Sequence, residues 1–209
     1  MVYAFLWWAL KPLLLLPFRV RYVGRENVPR RGAVLAANHE SYVDPLLVAL
    51  GMPGKVRFMA KAELWRHRAL GWLWEQMGAF PVHRGAADRN AIATATRFLA
   101  DGGRVGIFPQ GTRHHAHGLE GLEEGSGGTA LIAMHAGVPV VPVGINGTER
   151  IMPPGARLPR FPRLTVVYGT PIDPADLPEG SRRERMDWLT AEIMRGIASA
   201  MASAAERSD

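Results

Sequence analysis

Short apolar runs alternate with amphipathic stretches through most of this 209-residue chain. That alternation predicts an α/β fold: a mixed, largely parallel sheet flanked by helices. Two further observations point the same way. The apolar run Ala33–Ala37 leads straight into a polar turn and the pair Asp44-Pro45, a good helix start because Asp caps and Pro suits the first helical position. Met186, Leu189, Ile193, Ile197 and Met201 recur at helical spacing and mark a final amphipathic helix.

In order along the chain, Arg19–Gly24 and Ala33–Ala37 are expected as strands on either side of a Pro-Arg-Arg-Gly turn. A helix follows from Asp44 to Leu50, then a short strand over Val56–Ala60. Arg68–Met77 has a helical pattern and Gly78–Val82 an extended one. Ala87–Ala100 is a helix with Ile92, Ala95 and Leu99 on one face, ended by Asp101-Gly102-Gly103. Arg104–Phe108 is a strand, and the polar, Gly-rich stretch Pro109–Gly128 a loop. Thr129–Ala136 is a helix closed by Gly137; Val138–Asn146 and Leu164–Gly169 are strands joined by a Pro-rich loop, Met152–Pro162.

The first 18 residues stand apart. They are almost wholly apolar, broken by Lys11, Pro12 and Pro17, with Tyr3, Trp7 and Trp8 near one end and Arg19 and Arg21 behind. As a helix they would reach roughly 27 Å, just short of a comfortable bilayer crossing. Aromatic residues at headgroup level with Arg behind fit an uncleaved segment lying in or dipping into a membrane interface; the alternative is a core helix with a proline-bounded linker. The expected organisation is a membrane-associated segment over residues 1–18 and a single domain over 19–209. The absence of cysteine excludes disulfides and thiolate metal sites. The net charge of +6, carried mostly by Arg, favours anionic partners: phosphorylated ligands, an acidic membrane surface or nucleic acid. No basic motif with interleaved aromatics supports the last of these.

His39 and Asp44 are the candidate chemical pair; the alternative for the pair alone is a helix cap beside a satisfied loop histidine. On one continuous helix, side chains five positions apart diverge by about 140°. Here a strand end, a turn and a helix start lie between them, so they can meet. Histidine is suited to moving protons near neutral pH, and aspartate to orienting it. Asp44 is expected to cap the helix with one oxygen and hold the imidazole with the other.

Three more stretches give the pair its context: Lys61-Ala62-Glu63-Leu64 leading to Gly78-Ala79-Phe80-Pro81-Val82-His83-Arg84-Gly85; Ile107-Phe108-Pro109-Gln110-Gly111-Thr112-Arg113; and Ala136-Gly137-Val138-Pro139-Val140-Val141-Pro142-Val143. With Asn38-His39-x-x-x-x-Asp44 they form four blocks, over roughly Ala33 to Gly147, in an order and spacing that resemble the glycerolipid acyltransferase family, particularly the 1-acylglycerol-3-phosphate acyltransferases. The resemblance implies that family's fold with a membrane-associated N-terminus, and transfer of a fatty acyl group from coenzyme A or acyl carrier protein to the free hydroxyl of lysophosphatidic acid, forming phosphatidic acid. It implies His39 as general base and Asp44 as the group that fixes its tautomer. Arg84 and Lys61 would bind phosphate; Gln110, Gly111, Thr112 and Arg113 would bind the acceptor. No cofactor or metal is implied beyond the acyl thioester as co-substrate. The partners would be the lysolipid, the thioester or its carrier protein, and the lipid surface; the place would be the cell membrane, peripheral or monotopic, with the active site on the cytoplasmic face.

Two departures from the family's pattern stand out. Gln110 replaces the usual Glu of Phe-Pro-Glu-Gly-Thr-Arg, keeping the shape but losing the charge and gaining a donor. Glu120, Glu123 and Glu124 occupy a loop where relatives often show Phe-Lys-x-Gly. Both bear on acceptor choice, so another lysolipid or glycolipid acceptor, or a catalytically weak membrane-binding relative, is the alternative. His114, His115 and His117 lie on the same loop without Asp, Glu or Cys at tight ligand spacing, and metal binding there is not expected. Pro139 and Pro142 are expected to shape a strand rather than touch substrate.

Overall fold

The computed structural model describes residues 11–12, 15–83, 88–111 and 125–208. Seven strands form one sheet: β1 (Arg21–Val23), β2 (Ala33–Ala37), β3 (Val56–Lys61), β4 (Ala79–Val82), β5 (Arg104–Ile107), β6 (Val140–Asn146) and β7 (Thr165–Tyr168), in the order β1-β7-β6-β2-β5-β3-β4. Every neighbouring pair is parallel except β6 with β7. The mixed, largely parallel sheet read from the sequence is therefore present, with strand ends within about two residues of expectation.

The centre of the sheet is β2, hydrogen-bonded to β5 on one side and β6 on the other. All five of its residues are buried, which is why an unbroken apolar run is needed there. Its side chains alternate between two cores. Leu35 and Ala37 join Leu47 and Val48 of helix α1 (Asp44–Leu50), together with Phe18, Phe58 and Tyr168. Val34 and Ala36 face three helices: α3 (Arg89–Ala100) through Ala91, Ala95 and Leu99, α4 (Gly128–Ala136) through Ala130, Ile132 and Ala133, and α5 (Arg182–Glu206) through Leu189, Ile193 and Ile197. The remaining helix, α2 (Arg68–Gln76), follows β3 and buries only Gly71.

The helix ends follow local chemistry. Asp88 caps α3 by accepting from the Ala91 N–H at 3.0 Å. Ser181 and Glu184 make a reciprocal capping box on α5. Gly137 ends α4 at φ +60°. Close packing of α5 needs a bare backbone at Gly144: a Cβ there would sit 2.2 Å from the Ala200 carbonyl carbon. The ring of Pro142 meets Gly196 of the same helix, so this proline serves packing.

Of the N-terminal segment, residues 11–12 and 15–18 are helical; residues 1–10, 13 and 14 lie outside the described residues. Among the described residues no helix is long and apolar enough to cross a membrane.

Candidate active site

Parallel strands bring their C-terminal ends to one side of a sheet, and open α/β folds place ligands there. At that end β2 stops at Ala37 and the chain turns through residues 38–43 into α1. The turn is anchored by Asn38, which is buried and binds both backbone groups of one β6 residue: its Nδ2 donates to the Ile145 carbonyl at 3.0 Å and its Oδ1 accepts from the Ile145 N–H at 2.8 Å. The start of the turn is thereby fixed to the neighbouring strand before His39 leaves it.

His39 and Asp44 meet. The imidazole Nδ1 lies 3.0 Å from Asp44 Oδ2. The same oxygen accepts the backbone N–H groups of Glu40 at 2.8 Å and Ser41 at 2.7 Å. Asp44 is fully buried, and Oδ1 has no hydrogen-bond partner among the described residues. The expected division of the carboxylate between cap and imidazole is thus corrected: one oxygen holds the imidazole and closes the turn behind it, and the helix ahead receives no side-chain cap. The helix begins one residue earlier than a cap at Asp44 requires: Val43 holds the cap position and Asp44 is itself the first helical residue. With Oδ2 accepting two N–H bonds already, Nδ1–H donates the third, and the lone pair of the neutral ring resides on Nε2.

The imidazole is also held from its face. Phe108 stacks on it with ring centroids 4.1 Å apart and planes at 22°, and Phe58 stacks behind Phe108 at 6.0 Å. Phe58 lies across Gly106, where a Cβ would come within 2.1 Å of its ring. The layered order Gly106, Phe58, Phe108, His39 confines the ring laterally while Asp44 confines it in rotation. His39 keeps 13% of its side-chain surface exposed, so the group is held but reachable.

The other expected site residues group at the same end of the sheet to different extents. Gln110 and Gly111 complete a tight turn after β5, closed by Gly111 N–H to Phe108 O at 2.9 Å with Gly111 at φ +72°. A glycine is needed at that φ. Lys61 ends β3, beside Val82 of β4. Its Nζ is 3.2 Å from Glu63 Oε1, both side chains half-exposed, and a hydrogen bond from its own backbone N–H, then Lys61, holds the Glu63 carboxyl below its usual range. Arg84, Thr112, Arg113 and the three loop histidines lie outside the described residues, as do Glu120, Glu123 and Glu124. The chain on either side of them is tied together: Asp88 Oδ2 accepts from His83 N–H at 2.9 Å, and Ser126 N–H reaches Pro109 O at 3.0 Å. Both stretches therefore leave and rejoin the fold at this end of the sheet.

Asn38 and Phe108 were not assigned roles from sequence. Asn38 carried a signal, being a polar residue at the end of a fully apolar strand where only a neighbouring strand can satisfy it. Phe108 carried none, since its partner is 69 positions away in sequence.

This arrangement has counterparts. A family model described as "Acyltransferase" matches residues 19–146, a span that includes β1 to β6 and the whole His39–Asp44 turn. The chain belongs to the acyltransferase family. This acyltransferase is 30% identical over 191 residues to a 1-acyl-sn-glycerol-3-phosphate acyltransferase of Bacillus subtilis, covering 90% of the chain and 92% of that relative. It is 36% identical over 142 residues to a lyso-ornithine lipid O-acyltransferase of Pseudomonas aeruginosa, covering 67% of the chain and 52% of the relative. The crystal structure of the 1-acyl-sn-glycerophosphate (LPA) acyltransferase of Thermotoga maritima superposes with a TM-score of 0.71 at 25% identity, covering 94% of the chain and 80% of that structure. The acyltransferase thus shares both fold and family with enzymes named for acyl transfer to lysolipids.

Proposed function

We propose that the enzyme transfers a fatty acyl group from an acyl thioester, of coenzyme A or acyl carrier protein, to the free hydroxyl of lysophosphatidic acid, giving phosphatidic acid for phospholipid synthesis. The observation that carries the reading is the His39–Asp44 pair, with Nδ1 committed to the carboxylate at 3.0 Å and Nε2 left as the base. Nε2 takes the proton from the acceptor hydroxyl as that oxygen attacks the thioester carbonyl carbon. The carbon–oxygen bond forms, the carbon–sulfur bond breaks, and the proton passes from the imidazolium to the departing thiolate. Asp44 stabilises the imidazolium between those events. No covalent acyl-enzyme is needed, which matches Ser41 serving the turn through its N–H. Arg84, with Lys61, binds the phosphate of the acceptor; Gln110, Gly111, Thr112 and Arg113 bind its glycerol portion. The reaction takes place at the cytoplasmic surface of the cell membrane, with residues 1–18 in the interface and 19–209 as the acyltransferase domain. The names of the similar Bacillus and Thermotoga enzymes support this acceptor.

A second reading keeps the chemistry and changes the acceptor. The similar Pseudomonas protein is named for lyso-ornithine lipid, and Gln110 lacks the negative charge the family usually carries in this block. Purified protein incubated with labelled acyl-CoA or acyl carrier protein thioester and a panel of lysolipids tests both. Labelled phosphatidic acid as the main product is the expected result. Preference for an amino-acid lysolipid selects the second reading, and release of free fatty acid without acceptor refutes both.

A further inference from the structure

The Pro-rich segment between β6 and β7 has no part in the proposed chemistry, yet it carries large exposed apolar groups. Leu158 is 78% exposed and Phe161 54%. They stand with a row of cations: Arg157, Arg160 and Arg163 are all exposed. No acidic residue occurs from Ile151 to Ile172, and among the described residues no carboxylate pairs with these three arginines. Soluble surfaces seldom place bulky apolar groups and unpaired arginines side by side; an interface of hydrocarbon and anionic headgroups satisfies both at once.

The segment is joined to the end of the N-terminal helical stretch. The Phe161 ring lies 5.3 Å from that of Phe18, and the Leu164 N–H donates to the Phe18 carbonyl. Leu16, two residues earlier, is 75% exposed, and Arg19 follows, exposed as well. The segment is shaped rather than trailing: Arg160 N–H bonds back to the Ile151 carbonyl at 2.8 Å.

Topology places this surface relative to the dyad. The antiparallel pairing of β7 with β6 sets Thr165 opposite Asn146, and the parallel pairing of β1 with β7 sets Arg21 beside Thr165. The beginnings of β1 and β7 therefore lie at the end of the sheet where β6 finishes. That is also where β2 finishes, since Ala37 pairs with Val143 and Asn38 binds Ile145. The apolar, arginine-studded surface and His39 share one end of the molecule.

We infer that the 152–163 segment, together with the Leu16–Arg19 corner, is a docking surface for an anionic bilayer, which seats the catalytic end of the sheet on the membrane. Leu158 and Phe161 enter the acyl boundary, and the arginines meet lipid phosphates. This rests on the reading of the enzyme as one that acts on membrane lipids.

The chain has no cysteine, so a single introduced thiol reports one position. Leu158→Cys in the full chain, labelled with a polarity-sensitive fluorophore, is expected to shift to the blue and brighten with phosphatidylglycerol vesicles. The same label at Asp101→Cys, which precedes β5 at the opposite end of the sheet, should not respond. An unchanged Leu158→Cys signal on vesicles that the protein demonstrably binds overturns the inference. In sedimentation with the same vesicles, Arg157→Glu/Arg160→Glu should bind about tenfold or more weakly, while acyl transfer on detergent-dispersed lysolipid stays at the wild-type rate. Wild-type vesicle binding by that variant also overturns it. If the protein binds through Leu158 but transfers no acyl chain to any acceptor, the proposed activity fails and the docking surface stands; if it transfers acyl chains and the label is silent, the reverse holds.

Discussion

Asp44 concentrates three hydrogen bonds on one oxygen and leaves the other buried without a partner among the described residues. The two substitutions that test this separate structure from chemistry. Asn keeps a carbonyl oxygen for the Glu40 and Ser41 N–H groups, so Asp44→Asn should fold, with a melting temperature close to wild type. It loses the charge that stabilises the imidazolium, and kcat should fall by about 100-fold or more. Asp44→Ala leaves those N–H groups unsatisfied and should lose stability as well, by about 1–3 kcal/mol per orphaned donor. Equal activity of Asp44→Asn and wild type would show that the carboxylate acts only as a brace for the turn. Much of the dyad was legible in the sequence because it is local: five positions, a turn and a proline. The supports were not. Asn38 reaches β6 and Phe108 comes from β5, so their roles appear only once distant strands are side by side.

At the scale of elements, the chain leaves β4 and β5 toward the stretches proposed to bind the acceptor and is tied at fixed points on either side of them. Asp88 is one of these, holding His83 at one carboxylate oxygen and the first turn of α3 at the other. These bonds favour the ionised form, the His83 N–H most, and hold the Asp88 carboxyl below its ordinary range. A depressed folded-state value means the stabilisation is present above the unfolded pKa, near 4 for Asp, and is lost as pH falls through the folded value. The stability difference between wild type and Asp88→Asn should therefore be constant from pH 6 to 8 and shrink only below about pH 4. A difference that varies between pH 6 and 8 would assign the effect to another group. Element identities were largely readable from periodicity and helix ends: Gly137 and the apolar stripe of α5 each declared their position, whereas the Ser181–Glu184 capping box came only with the structure. Where Asp44 was expected as a cap, the helix starts one residue earlier, with Val43 at the cap position and Asp44 inside the first turn.

For the whole molecule, alternation of strand and helix identified the layers but left the strand order open. That order depends on pairings such as β2 with β5 and β6, between residues 71 and 106 positions apart. The reversal of β7 was equally hidden, because a short buried strand reads the same in either direction. Both matter for function: they gather the ends of β2, β3, β4 and β5 with the starts of β1 and β7, so the His39–Asp44 turn and the apolar surface share one end. The central claim is that His39, oriented by Asp44, is the base that deprotonates the lipid hydroxyl. Single-turnover acyl transfer from labelled thioester to lysophosphatidic acid by His39→Ala tests it most directly. The account predicts a folded protein whose transfer rate is lower by about 100-fold or more; transfer at the wild-type rate would contradict it.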